Sequence, residues 1–208
     1  MAEGYTTVAA AVEHELEIRK SRFRCLIAPA DTEETAREWI AARRTEHWNA
    51  NHNCTAFVLG ADSSVQRSSD DGEPSGTAGV PMLEVLTRRG LTYVVAVVTR
   101  YFGGVKLGAG GLIRAYGQSV SDTADRARLV RWEPRLTVAV TADHQLAGRL
   151  ENDLRTAGYV LADVTYTADV TFQVAIIPDQ LDRFTAWLDE ATSGGAAWEP
   201  GDTTYHQV

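Results

Sequence analysis

Two glycine-rich polar loops, at residues 70–79 and 103–111, constrain this chain more than any other part of its sequence. They flank a short predicted helix, which begins at Pro81 and ends at Gly90, and a β-branched strand at residues 92–99. Proline fits the first turn of a helix because its missing N–H would be unpaired there, and glycine commonly follows the last turn. Loops of this kind can bring backbone and side-chain donors together, so we expect a binding site between them.

Hydrophobic periodicity predicts a sheet with helices packed against it in the first half of the chain. Strands are predicted at residues 13–18, 22–27, 54–59 and 92–99. Helices are predicted at residues 31–47, with Asp31 as the N-cap, at 81–90 and at 112–128. The polar residues 61–69 show no period, so a loop is predicted there. The predicted order is ββ(α)βαβα.

Trp132, Glu133 and Pro134 are expected to end the last of these helices, because proline and its predecessor resist helical geometry. We therefore predict two domains, at residues 1–133 and 134–208. In the second domain, strands are predicted at residues 136–141, 159–165, 170–177 and 196–199, and helices at 143–156 and 178–191. The order βαββαβ is that of a ferredoxin-like domain, so the predicted fold class is α+β.

Charge restricts where nucleic acid can bind. Residues 1–135 hold 17 basic and 17 acidic side chains, whereas residues 136–208 hold 3 and 11. Proteins that contact phosphates usually present a basic face. The second domain is too acidic for this role, so RNA, if it binds, is expected on the first domain.

The chain is expected in the cytoplasm. It has two cysteines, Cys25 and Cys54, which are too few for a four-cysteine zinc site and fit a reducing compartment. Its start lacks a basic segment followed by an apolar core, so no signal peptide is predicted. The apolar run at residues 93–98 is far shorter than the roughly 20 residues of a membrane helix, so no membrane partner is expected.

The second glycine loop is neither a P-loop nor a dinucleotide fingerprint. Ala109 and Gly110 stand where a P-loop needs Lys and Ser or Thr, and Ile113 replaces the last glycine of the fingerprint. N–H groups at the start of the next helix, with nearby basic side chains, can still hold an anion. Alternatively, the glycines only let two backbone segments pass closely. The predicted ligand site consists of Arg100, Gly103, Gly104, Lys106, Gly110, Gly111 and Arg114.

The first loop is not a hydrolase elbow, because its serine stands fourth in Gly72-Glu73-Pro74-Ser75-Gly76. The residues expected to shape this loop are Gly72, Pro74, Ser75, Gly76 and Gly79. In an alternative, enzymatic interpretation, a peptide or phosphoester hydrolase uses acid/base groups or ligands of a cation such as Mg²⁺. Its residues are His52, Asp70, Asp71 and Glu73. The leading interpretation has no catalytic residue, no metal and no cofactor.

These motifs resemble those of the IMPACT family, in its bacterial YigZ-type members. The resemblance rests on Lys20-Ser21-Arg22-Phe23, His52-Asn53-Cys54, the loop from Asp70 to Gly79, Arg100-Tyr101-Phe102-Gly103-Gly104 with Gly108, and Gly110, Gly111, Arg114, Ala115 and Tyr116. It implies a first domain with the fold of domain 2 of ribosomal protein S5. It also implies a ferredoxin-like second domain similar to the last domain of elongation factor G.

The resemblance further implies a role near translation, since eukaryotic members of the family are cytosolic translation regulators. We therefore expect a non-enzymatic protein that regulates translation through RNA, the ribosome or a protein partner at its glycine loops. A third interpretation is an interaction module whose acidic second domain meets a basic partner.

Overall fold

The computed structural model describes residues 4–208, which form a first domain of residues 5–131 and a second domain built mainly from residues 132–208. The strands of the first domain are β1 (Tyr5–Val8), β2 (Val12–Ile18), β3 (Ser21–Pro29), β4 (His52–Leu59), β5 (Val65–Ser69) and β6 (Val94–Tyr101). Its helices are α1 (Glu33–Glu46), α2 (Gly79–Arg88) and α3 (Ala109–Ala124). Within residues 4–208, no helix is both long and apolar enough to cross a membrane.

The main sheet of the first domain is antiparallel, in the order β2-β3-β6-β4-β5. Its central strand β6 is covered on both faces, as its continuous apolar sequence predicts. On one face, Ala96 and Val98 share a core with buried residues of α2 and α3. On the other face, Val95 and Val97 share a core with residues of α1. Because side chains alternate along a strand, Arg100 faces the same side as Val98.

Several local predictions in this half were wrong. The N-cap of α1 is Thr32, whose side chain accepts from the Thr35 N–H, and not Asp31. Residues 65–69, predicted as loop, form the edge strand β5, which pairs with β4 although only Val65 is half-buried. Helix α3 begins at Ala109 and therefore takes in residues that were assigned to the glycine loop. It ends at Ala124, well before Trp132, and residues 129–142 form a strand. Pro134 therefore lies within a strand and does not end a helix.

The second domain has the predicted order βαββαβ. Its elements are β7 (Leu129–Ala142), α4 (His144–Thr156), β8 (Val160–Tyr166), β9 (Val170–Ile176), α5 (Leu181–Thr192) and β10 (Ala197–Gln207). The strands lie antiparallel in the order β10-β7-β9-β8, and Leu150, Leu154, Phe184 and Leu188 of the helices are buried in one core with them. The α+β fold with two domains is confirmed. The position of the boundary at residue 133 stays a prediction.

Candidate functional site

The two glycine loops border one cavity of about 460 Å³ in the first domain. The start of β4 contributes His52, and the first loop contributes Glu73 and Pro74. The remaining wall comes from the segment after β6 and the start of α3, including Phe102 and Lys106. Polar and charged groups thus surround a cavity that is large enough for part of a ligand.

Asp70 holds the first loop in shape. Its carboxylate accepts hydrogen bonds from the backbone N–H groups of Gly76 (2.8 Å), Ala78 (3.0 Å) and Gly79 (2.8 Å). Burial works to raise the pKa of this carboxyl, but the hydrogen bonds from Gly76, Gly79 and Ala78 outweigh it and bring the pKa below its usual value. Asp70 therefore organises the approach to α2.

Asp71 joins the first loop to β4 and α1. One carboxylate oxygen accepts from the Asn53 backbone N–H at 2.6 Å, and the other accepts from Arg44 at 2.7 Å. Its backbone carbonyl lies 2.9 Å from Nδ1 of His52. Since a carbonyl only accepts, Nδ1 carries the hydrogen and donates this bond.

Glu73 and Arg100 form a buried ion pair at the back of the cavity, with 8% and 6% of their surfaces exposed. Arg100 Nη1 lies 2.6 Å from Oε1 of Glu73, and the Tyr116 hydroxyl donates to the same oxygen at 2.7 Å. The guanidinium carbon lies 5.4 Å from the ring centroid of Phe23 and 5.6 Å from that of Phe102. Burial raises the pKa of Tyr116 well above its usual range, so the phenol stays a hydrogen-bond donor.

Arg100 was predicted as part of the anion site, but the structure buries its guanidinium in this ion pair. The alternation of side chains along β6 turns Arg100 toward α3 and the core, where burying a charge requires a partner. Glu73 is that partner, 27 positions away in the sequence. Arg100 therefore borders the cavity as one half of a neutral pair.

His52 and Cys54 lie on the same side of β4 and contact this cluster. His52 Nε2 is 3.9 Å from Oε2 of Glu73. The Cys54 thiol donates to the Asp70 carbonyl at 3.0 Å and lies 3.3 Å from the Tyr116 hydroxyl. Burial raises the pKa of Cys54 to about 12, which keeps it a thiol at neutral pH.

The metal-site alternative does not fit the geometry. Asp70, Asp71 and Glu73 direct their carboxylates to different protein donors, so they do not converge on one point. Among residues 4–208, no group of three His, Cys, Asp or Glu side chains is arranged to hold a metal ion. Within residues 4–208, each of these three carboxylates already accepts a hydrogen bond from a protein donor, so nothing in the site favours the hydrolase alternative.

The N-terminus of α3 opens on the cavity without a side-chain cap. Gly108 is the N-cap, with φ +73°, and the Leu112 N–H donates to its carbonyl. The N–H groups of Ala109, Gly110 and Gly111 precede this first helical bond, so they lie at the positive end of the helix dipole. The exposed Lys106 borders the same cavity. This end of the cavity is electropositive.

Gly103 has a structural role that the sequence predicted only as an alternative. Its N–H donates to Ser21 Oγ at 3.2 Å, and a Cβ atom at this position would overlap the Lys20 carbonyl group. The second loop therefore crosses directly over the turn between β2 and β3. Gly104 follows it at an exposed turn with φ +86°.

The remaining predicted residues lie at several places around the first loop and α3. Gly72 packs against the His52 ring, Pro74 accepts the Thr77 N–H in a turn, and Ser75 is exposed. Gly79 lies against the backbone of Ser69. Arg114 is not at the cavity. It lines a separate groove between α2 and α3, so the structure does not bring it together with Lys106.

Tyr116, Asn51 and Phe102 belong to the site although the sequence did not identify them as site residues. The Asn51 side chain accepts the Phe102 N–H at 2.8 Å and so fixes the backbone beneath an aromatic ring that is 47% exposed. The one sequence signal for Tyr116 is that it is an aromatic residue on the inward face of α3. No local pattern around Asn51 indicates its contact with a residue 51 positions away.

Comparisons with known proteins cover both domains. Residues 19–124 match the Impact N-terminal domain, and residues 140–194 match a domain of unknown function, DUF1949. The chain is similar to IMPACT family member YvyE of Bacillus subtilis, with 45% identity over 99% of this chain and 94% of that protein. It is also similar to IMPACT family member YigZ of Escherichia coli, with 38% identity over 92% and 95% of the two chains. A crystal structure described as that of a hypothetical protein matches with a TM-score of 0.65 and 35% identity, covering 95% of this chain and 97% of the other.

Proposed function

The chain belongs to the IMPACT family, and on that premise we propose that it is a non-enzymatic cytoplasmic protein that regulates translation by binding RNA. The RNA lies on the glycine-loop face, which comprises residues 102–112 and the turn at residues 19–20. Phosphate groups contact the cations and the helix N-terminus of this face. The family resemblance implies domain folds like those of a ribosomal protein and an elongation factor, and this likeness supports the link to translation.

The observation that carries this proposal is the group of exposed cations beside the second glycine loop, which leads into the open N-terminus of α3. Lys106 borders the cavity, and the turn containing Arg19 and Lys20 packs against Gly103 at its edge. Among residues 4–208, these three cations form no ion pair with a carboxylate. Unpaired cations beside free backbone N–H groups are the donors that bind phosphate backbones.

Apolar groups on the same face favour RNA over an isolated inorganic anion. The Phe102 ring is nearly half exposed beside the cavity, and Val105 is also exposed. Proteins that bind single-stranded nucleic acids combine cations for the backbone with aromatic rings on which bases stack. The face offers both kinds of contact within a few residues.

The polar cluster behind the cavity supports binding rather than catalysis. Glu73 and Arg100 neutralise each other, and the pKa values of Cys54 and Tyr116 are raised away from reactive forms. These residues rigidly position β4, β6 and α3, from which the cavity walls project. Such preorganisation lowers the entropy cost of binding.

Fluorescence anisotropy with a labelled single-stranded RNA tests the proposal in the full chain. Lys20→Glu combined with Lys106→Glu should weaken binding by at least about tenfold at low salt, and it should reduce the slope of log affinity against log salt by about 2. Arg149→Glu combined with Arg155→Glu, a double charge reversal at two exposed positions of α4 in the second domain, is the matched control and should have little effect. Equal loss in both variants, or no binding by the unaltered chain at low salt, would refute the proposal.

A further inference from the structure

A second cavity, of about 420 Å³, lies on the other side of the main sheet, between α1 and strands β4 and β5. Arg37 and Arg44 line it from α1, and Arg67 lines it from β5. We call this cavity the arginine cleft. Phe57 forms part of its floor and is only 6% exposed. Because Arg67 lies directly across from Phe57 in the β4–β5 register, both side chains project toward α1.

Two of the three guanidinium groups in the arginine cleft are available to an added anion. Arg67 donates to the carbonyl of its neighbour Gln66 at 2.9 Å, and within residues 4–208 it pairs with no carboxylate. Arg37 is 72% exposed and reaches Glu33 at 3.5 Å. Exposed pairs of this type are weak and readily exchanged. Arg44 is held by Asp71, so this neutral pair adds no free donor to the cleft.

The cleft runs beside an unpaired strand edge. In the sheet order β2-β3-β6-β4-β5, strand β5 is last, and no strand among residues 4–208 pairs with its outer side. Residues 66–69 of this strand are exposed. An edge strand presents N–H and C=O groups that accept a further strand from another chain.

We propose that the arginine cleft binds an acidic, extended peptide segment of a partner protein. The segment adds to β5 as a new edge strand, and alternate carboxylate side chains contact Arg37 and Arg67. A peptide fits better than RNA for two reasons. A nucleic acid cannot use the unpaired amide edge, and the aromatic ring in the cleft, Phe57, is too buried for a base to stack on it.

The test is an NMR titration of the ¹⁵N-labelled full chain with an alternating glutamate–valine peptide. Backbone amides of β5 and α1 should shift, whereas a lysine–valine peptide of equal length should leave them unchanged. Arg37→Glu combined with Arg67→Glu should weaken binding about tenfold. Arg88→Glu combined with Arg149→Glu is the matched control, because Arg88 and Arg149 are 77% and 74% exposed and, like Arg37, pair with a carboxylate at i,i+4, but on α2 and α4.

A version of the acidic peptide with alternate backbone amides N-methylated separates strand addition from charge attraction alone. Loss of binding by the methylated peptide supports the proposal. The proposal is overturned if the methylated peptide binds equally well, if the shifts lie outside β5 and α1, or if the control double variant weakens binding as much as Arg37→Glu combined with Arg67→Glu. It is also overturned if single-stranded RNA, and not the acidic peptide, shifts these amides. If Arg37→Glu combined with Arg67→Glu shifts amide signals far from the cleft, Arg67→Ala alone replaces it in the titration and should also weaken binding of the acidic peptide.

Discussion

Replacing Glu73 with glutamine should destabilise the first domain by about 3–5 kcal/mol, because it leaves the Arg100 guanidinium buried without a counter-charge. Oε1 of Glu73 accepts from Arg100 at 2.6 Å and from the Tyr116 hydroxyl at 2.7 Å. A glutamine carbonyl can keep the Tyr116 bond, which is worth about 1 kcal/mol. The expected loss therefore comes almost entirely from the unpaired charge.

A double-mutant cycle isolates that contribution. Arg100→Met alone leaves the Glu73 carboxylate buried beside Tyr116 and should also destabilise by a few kcal/mol. Glu73→Gln combined with Arg100→Met removes both charges. The double variant should therefore be more stable than the sum of the two single changes predicts, by about 2 kcal/mol or more.

Native-state hydrogen exchange of the full chain reports on the correct domain, since a global unfolding curve would combine two domains. Amides of β6 (Val94–Tyr101) are central in the sheet and should lose protection in each single variant, while amides of β9 (Val170–Ile176) should not change. A cost below about 1 kcal/mol for Glu73→Gln, or strict additivity in the double variant, would refute the reasoning.

Three further perturbations test other parts of the structure. Gly103→Ala should lower the free energy of unfolding by at least about 3 kcal/mol, because the new methyl group meets backbone atoms that cannot rotate away. Gly148→Ala, on the open surface of α4, should raise it by about 0.5–1 kcal/mol. Differential scanning calorimetry of the two variants measures the difference. Burial raises the pKa of Asp70, but the backbone hydrogen bonds lower it by more, so the pKa in the folded chain lies below the unfolded value of about 3.9. The ionised Asp70 therefore stabilises the fold at pH values above about 3.9, and this stabilisation is lost as the pH falls through the lower pKa of the folded chain. Asp70→Asn should therefore lower stability at pH 7 by about 1–3 kcal/mol and flatten its decline in acid, as urea unfolding at several pH values measures; an unchanged decline would contradict this. Burial raises the pKa values of Cys25 and Cys54 to about 12, so a thiol reagent at pH 8 should label neither until the first domain opens, and rapid labelling of the native chain would show the burial to be wrong.

The sequence predicts a strand or helix best where burial of apolar side chains holds that element in place. Strand β6 is apolar on both faces, so its central place in the sheet could be predicted from its residues alone. The edge strand β5 could not, because its stability comes from backbone pairing with β4 and its side chains are mostly exposed. Periodicity detects buried faces and not backbone pairing.

In the candidate site, too, some features could be predicted from the sequence and others could not. The two glycine loops could be identified because their composition is unusual. Extending the alternation of β6 from Val98 to Arg100 would have indicated that this arginine points inward. Its pairing with Glu73 and the bond from Tyr116 join distant parts of the chain, and only the tertiary structure reveals them.

The measurement that most directly tests the account is a map of ultraviolet cross-links between the full chain and single-stranded RNA, read by mass spectrometry. The account predicts cross-links at Phe102 and its neighbours through Lys106, and at the turn of residues 19–20. Cross-links confined to residues 132–208, or spread evenly over the chain, would contradict it.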